Sequence, residues 1–229
     1  SDWGVRVSAP TQTHRLDRQG QWFDMEADPG QRRDIAQQLP EVAAKLGAAV
    51  EAWRQELLTG LGNDERPFLV GHPDFAMTQL PARDGQPHGE IKRSSRHPNC
   101  SFFTGWTRRQ DTITWDVEVV AAGKFQADLY YTCKPEDIGA VLELTFGDQS
   151  CRRTIDHPHD PPLRGAGDDR VPRSESYVKD FRPVSLGELE LKPGRGTLTL
   201  RAIEKPGQNV VDVRLLTLTR ISQSDDEIP

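Results

Sequence analysis

From residue 111 the apolar residues recur every second position, and this alternation constrains the chain more than any other feature. Ile113, Trp115, Val117 and Val119 alternate with Thr112, Thr114, Asp116 and Glu118. Successive side chains on a strand point to opposite faces, so the pattern describes a strand with one buried face. Phe125, Ala127, Leu129 and Tyr131 repeat it after an Ala122-Gly123 turn, and Leu142, Leu144 and Phe146 repeat it before Gly147-Asp148. A ragged polar stretch fills 152–176, and strand character returns at 177–186 and 188–192. Lys192-Pro193-Gly194 then turns the chain into Leu198, Leu200 and Ala202. Val211 and Val213 begin a last strand, whose Leu215-Leu216 doublet shifts the phase and predicts a bulge. About eight closely spaced strands without helices make residues 111–222 an antiparallel β-sandwich of jelly-roll type. The expected core includes Ile113, Trp115, Val117, Leu129, Leu144, Leu198, Leu200 and Val213.

The chain begins differently. Arg6–Ser8, Thr13–Asp17 and Gln21–Asp24 read as short strands, the last two joined by an Asp17-Arg18-Gln19-Gly20 turn with glycine at positive φ. Pro40 opens a helix, where its missing N–H costs nothing, and Gly60 closes it. Val42, Leu46, Val50, Trp53 and Leu57 form one apolar stripe along it. Residues 1–61 therefore form a small α+β subdomain with one long helix, too small to hold itself up well. Residues 62–110 carry five prolines and no sustained period. Their aromatics, Phe68, Phe75, Phe102, Phe103 and Trp106, favour a connector wrapped on a surface over a disordered linker. Residues 223–229 form a tail. The fold class is mainly β.

Charge narrows the function. A net charge of −6 argues against a general nucleic-acid binder, which carries a basic excess. No apolar run approaches the roughly 18 residues of a membrane span, and no secretory leader pattern opens the chain. Cys100, Cys133 and Cys151 match no zinc spacing and allow at most one internal disulfide, so buried free thiols are the expectation; a Cys133–Cys151 pairing stays open.

The run Trp22-Phe23-Asp24-Met25-Glu26-Ala27-Asp28-Pro29-Gly30-Gln31 resembles the LFDLxxDPxE stretch near the end of sulfatases. There it follows a strand like Thr13–Leu16 and precedes a segment like Arg33–Ala36 and a helix like Pro40–Leu58, with a Trp where Trp53 stands. Residues 3–58 are thus similar to the small C-terminal subdomain of arylsulfatase-type enzymes of the alkaline phosphatase superfamily. Leu80–Gly85 and Pro98–Phe103 resemble stretches preceding the galactose-binding-like sandwich of some bacterial sulfatases. The resemblance implies a C-terminal fragment of an enzyme that hydrolyses sulfate esters, periplasmic or secreted. Its partner would be the missing catalytic domain in cis, which would hold the formylglycine nucleophile and Ca²⁺. The nucleophile motif Cys/Ser-x-Pro-x-Arg is absent: Cys133-Lys134-Pro135-Glu136-Asp137 lacks the Arg. No catalytic residue, metal ligand or cofactor is therefore assigned to this chain. The sandwich is expected as an accessory domain. Its alternatives are a carbohydrate-binding module and a structural buttress, with self-association open to the orphaned surface.

For glycan binding the candidate residues are Trp106, Arg108 and Arg109 before the first long strand, and Tyr130, which should face outward while Tyr131 faces in. Arg93 and Arg96, in the basic stretch Lys92–His97, are candidates for gripping an anionic, sulfated sugar. For each of these a packing or solvated-loop role is the competing expectation. His14 and Arg15 are weaker candidates for a contact in the intact enzyme. The stretch His157-Pro158-His159-Asp160 could supply metal ligands, but no further cluster partner stands at a matching spacing.

Overall fold

The structure is a computed structural model that describes residues 9–11, 13–17, 19–60, 66–97 and 99–221. The chain divides into two units, Ser1–Glu65 and Arg66–Pro229.

The first unit holds three short strands, β1 (Ala9–Pro10), β2 (His14–Leu16) and β3 (Trp22–Asp24), in an antiparallel sheet of that order, and the helix α1 (Pro40–Gly60). The Arg6–Ser8 strand expectation lies outside the described residues. The β2–β3 turn closes on Asp17, whose Oδ1 accepts from the backbone N–H groups of Gln19 and Gln21 at 2.8 Å, with Gly20 at φ 82°. The run from Trp22 to Gln31, with the segment that follows it, is a set of carboxylate-locked turns. Asp24 Oδ1 accepts from the Glu26 and Ala27 N–H groups, and Asp28 Oδ2 from those of Arg32 and Arg33. Asp34 Oδ1 accepts from Trp22 and Ala36, tying this loop back to β3. These backbone donors hold the Asp24 and Asp34 carboxyls below the usual range. Trp22 and Phe23 are buried, and the His14 ring stacks on Trp22 at 5.6 Å. The helical stripe is not a core: Leu46 and Val50 are half-buried, whereas Val42, Leu57 and Trp53, at 53% exposure, face outward.

The second unit is a β-sandwich whose strands pair antiparallel, except that Phe68–Val70 runs parallel to Thr112–Val119. Its short strands are β4 (Phe68–Val70), β5 (Met77–Pro81), β6 (Gln86–Pro87), β7 (Lys92–Arg93) and β8 (Phe103–Thr104). Its long ones are β9 (Thr112–Val119), β10 (Gly123–Thr132), β11 (Val141–Phe146), β12 (Gln149–Thr154), β13 (Arg182–Leu191), β14 (Gly194–Glu204) and β15 (Asp212–Arg220). One sheet runs β13-β10-β15-β8-β7, with β5 also on β15; the other runs β12-β11-β14-β9-β4, with β6 also on β9. All eight expected core residues, Ile113 through Val213, are buried between the sheets. Tyr131 points into that core and Tyr130 is half-buried on the outer face. The register of β15 slips between Val213 and Leu215, so Val213, Leu216 and Leu218 share the inner face. The bulge falls at Arg214, beside the Leu215-Leu216 doublet.

Two expectations are corrected. The segment 62–110 is not a connector outside the sandwich: β4 to β8 belong to its two sheets, and Val70, Leu80, Ile91, Phe103 and Trp106 join its core. Strands of two to five residues are too short to declare a period. The stretches 177–186 and 188–192 supply one strand, β13, whose bulge opposite Ala127 and Asp128 brings Gly187 through at φ 122°.

Candidate ligand-binding cleft

At the end of the sandwich where β10 stops and β15 starts lies a cleft of about 320 Å³, a size that suits a small ligand. The chain changes direction here because Pro135 starts a single 3₁₀ turn, Pro135–Asp137, that ends β10. Asp137 points back inward, 2% exposed, and accepts from the Asn209 backbone N–H at 2.9 Å and the Asn209 side-chain amide at 3.1 Å. Burial alone would raise this carboxyl. The bonds from Asn209 and the Gln208 N–H, with the Lys134 charge, outweigh burial and hold it low. The loop before β15 is thereby fixed to the turn after β10.

The opposite side of the cleft is ionic. Cys133 exchanges two backbone hydrogen bonds with His159 at 2.8 Å, which carries Asp160 to the rim. Lys179 reaches in between Asp160 and Asp212, its Nζ 3.2 Å from each. Thr132 Oγ1 donates to the same Asp212 oxygen at 3.2 Å. Lys92 and Thr104, paired across β7 and β8, complete the lining with Gly105 and Val210. Three ammonium groups thus face three carboxylates, so the cleft carries donors and acceptors with no net charge. Its thiol is inert: burial first, then the surrounding carboxylates, pushes Cys133 up to about 11. Among the described residues no cluster of His, Cys, Asp and Glu could hold a metal ion. His159 is spent in part on the Asp180 carbonyl.

The residues singled out from the sequence do not converge here. Trp106 is a core residue, 1% exposed, and offers no stacking face; its neighbours Gly105 and Val210 line the cleft instead. Arg108 pairs with Glu90 at 3.2 Å on the surface. Arg109 is exposed and reaches the Ile203 carbonyl at 3.4 Å. Tyr130 lies on the outer sheet face between Pro183 of β13 and Leu215 of β15. Arg93 is a structural group: it donates to the Arg83 and Gly85 carbonyls and covers the Phe103 ring. Arg96 is exposed and donates to His97. In the first unit His14 packs on Trp22 and Arg15 pairs with Phe23 in the sheet register. Sequence reasoning missed Asp137, Lys179, Asn209 and Asp212, which lie far apart in the chain and share no spacing signal. All three cysteines are free thiols.

No protein-family model matches the chain, and no curated protein matches it. Among solved structures, a GH26-CBM35 β-(1,4)-mannanase from Podospora anserina is 14% identical with a TM-score of 0.45, over 66% of this chain and 29% of that one. The C-terminal CBM6 of a marine laminarinase from Zobellia galactanivorans is 8% identical with a TM-score of 0.45, over 63% and 99%. A family 35 carbohydrate-binding module from Clostridium thermocellum is 10% identical with a TM-score of 0.42, over 64% and 100%. The chain therefore spans under a third of the mannanase it resembles and the whole length of the two isolated modules. No helix among the described residues is long and apolar enough to cross a membrane.

Proposed function

We propose that the second unit is an accessory carbohydrate-binding domain whose end cleft takes a neutral, hydroxyl-rich sugar. The observation that carries this reading is the ionic frame of the cleft, Lys179 clamped between Asp160 and Asp212 at 3.2 Å beside the buried Asp137–Asn209 pair. A sugar hydroxyl both donates and accepts, and charged partners make the stronger bonds to it. A frame whose groups already hold one another in place loses little side-chain freedom on binding. Isothermal titration against neutral oligosaccharides, glucans, mannans and galactans, tests the reading. One class should bind, and Asp212→Asn and Lys179→Met should each weaken it about tenfold, the scale of one charge-assisted hydrogen bond. No binding at millimolar sugar, or binding indifferent to both substitutions, would overturn it.

The sulfatase-like run supports a finer reading, in which the chain is the C-terminal part of a sulfate-ester hydrolase. One feature favours it: Val42, Trp53 and Leu57 leave α1 with an exposed apolar face, as a subdomain that normally leans on a larger body would. An encoding reading frame with no Cys/Ser-x-Pro-x-Arg motif upstream would rule it out.

A further inference from the structure

The second sheet carries a feature unrelated to the cleft. Arg152 on β12, Glu143 on β11 and Arg201 on β14 are direct cross-strand partners and form one row on the outer face. Glu143 faces away from the core, yet it is only 2% exposed, because the two arginines cover it. Arg152 Nε donates to Oε1 at 2.6 Å, and Arg201 Nε donates to Oε2 at 2.5 Å. Their side chains remain 61% and 49% exposed. Beyond Glu143 neither guanidinium meets another carboxylate among the described residues, so each fork keeps N–H groups turned to solvent. Burial alone would raise the Glu143 carboxyl, but the two guanidiniums outweigh it and hold it low, so the anchor stays ionised at neutral pH.

Two further groups extend the row. Arg109 reaches the Ile203 carbonyl, two residues along β14 from Arg201, which is about 7 Å on a strand. It has no carboxylate partner among the described residues. The adjacent row, two residues away along each strand, consists of Ser150, Thr145, Thr199 and Thr114, all hydroxyls. The Arg152–Glu143–Arg201 triad itself carries one net positive charge on a chain that is negative overall; farther along the same face Asp116 and Glu118 are taken by Thr197 and Arg195.

We propose that this face is an oxyanion-binding surface that takes the sulfate or carboxylate groups of an acidic polysaccharide. The warrant is charge complementarity with fixed geometry. Two guanidinium forks are held side by side by one buried carboxylate, and the planar fork matches an oxyanion's paired oxygens. The neighbouring hydroxyl row can then serve the sugar's own hydroxyls. The surface lies on the sheet opposite the strands that frame the cleft, so the two sites stand or fall separately.

The test is retention of the whole chain on immobilised dextran sulfate, polygalacturonate and neutral dextran, eluted with rising sodium chloride. Salt-sensitive retention is expected on at least one of the two acidic matrices, beyond any salt-insensitive hold on dextran, a neutral glucan that reports only the cleft. Glu143→Leu/Arg152→Met/Arg201→Met removes the guanidiniums without leaving a buried charge unpaired. It should lose about tenfold in its salt-sensitive affinity for the acidic matrix. Arg109→Ala, which disturbs no packed group, should lose about threefold. Arg152→Met alone, which leaves Glu143 paired with Arg201, should lose about threefold. Equal retention on dextran, or a folded triple variant that binds like the wild type, would overturn the proposal. Should the triple variant not fold, unchanged affinity in both Arg109→Ala and Arg152→Met would overturn it.

Discussion

Replacing Asp137 by alanine probes the joint on which the cleft depends. The carboxylate is buried and accepts two hydrogen bonds from Asn209, at 2.9 and 3.1 Å. Packing there is tight: a Cβ placed on Gly207 would lie 2.4 Å from Asp137 Oδ1. A hydrogen bond to a charged group contributes about 1.5–3 kcal/mol, and a buried N–H left without a partner costs about 1–3 kcal/mol. Removal of the carboxylate also relieves its own desolvation, which offsets part of the loss. We therefore expect Asp137→Ala to destabilise the second unit by about 3 kcal/mol. With an m-value of about 2 kcal/mol/M, its urea midpoint should fall by about 1.5 M. Asp137→Asn keeps an acceptor for the backbone N–H but sets its amide against that of Asn209, so it should lose about half as much. Urea unfolding followed by tryptophan fluorescence reads both, since Trp106 and Trp115 lie in this core. A loss below about 1 kcal/mol for the alanine variant, the scale of an exposed substitution, would refute the idea that this carboxylate fixes the loop.

Two further outcomes follow from buried ionisable groups. Asp137 and Glu143 are both held below their ordinary values, so the unfolded chain takes up their protons first. Their stabilisation is complete above the ordinary carboxylate range and is lost as pH falls below about 4. Urea midpoints should therefore be flat from neutral pH down to mildly acidic pH and drop below it; a midpoint unchanged at pH about 3 would contradict this. Burial pushes Cys133 and Cys151 up to about 11, helped by neighbouring carboxylates. An aromatic disulfide reagent at pH about 8 should modify the half-buried Cys100 first and reach the other two only on denaturation. Fast reaction of a second thiol in the native protein would count against the burial described here.

The sandwich was legible because its strands are long enough to repeat. Eight to eleven residues in β9, β10 and β14 give several turns of a two-residue period, and Trp115, Leu129 and Leu200 could be assigned to the core from that alone. The same phase put Tyr131 inside and Tyr130 outside. The turn at Asp17 and the start of α1 at Pro40 were legible for a different reason, since their chemistry is local. The stripe on α1 was legible as a pattern, but the pattern does not say what covers it, and in the structure Trp53 is exposed.

Tertiary structure decided the rest. Short strands such as β6, β7 and β8 acquire their state from the strand they dock on, so the segment before residue 111 read as a connector. Trp106 stood outside any alternation and read as a possible platform, yet the fold folds it into the core. The cleft joins Asp137 to Asn209 and Lys179 to Asp160 and Asp212, and the oxyanion surface joins Glu143 to Arg152 and Arg201. Apart from Glu143 and Arg152, which the Gly147-Asp148 hairpin sets opposite each other, no spacing rule links such pairs, because strand pairing brings distant residues together through backbone hydrogen bonds that are blind to side-chain identity. The sequence by itself determined which residues face inward, since hydrophobic burial acts on each side chain separately. Which polar residues meet on the outside was decided only when sheet order and register were set.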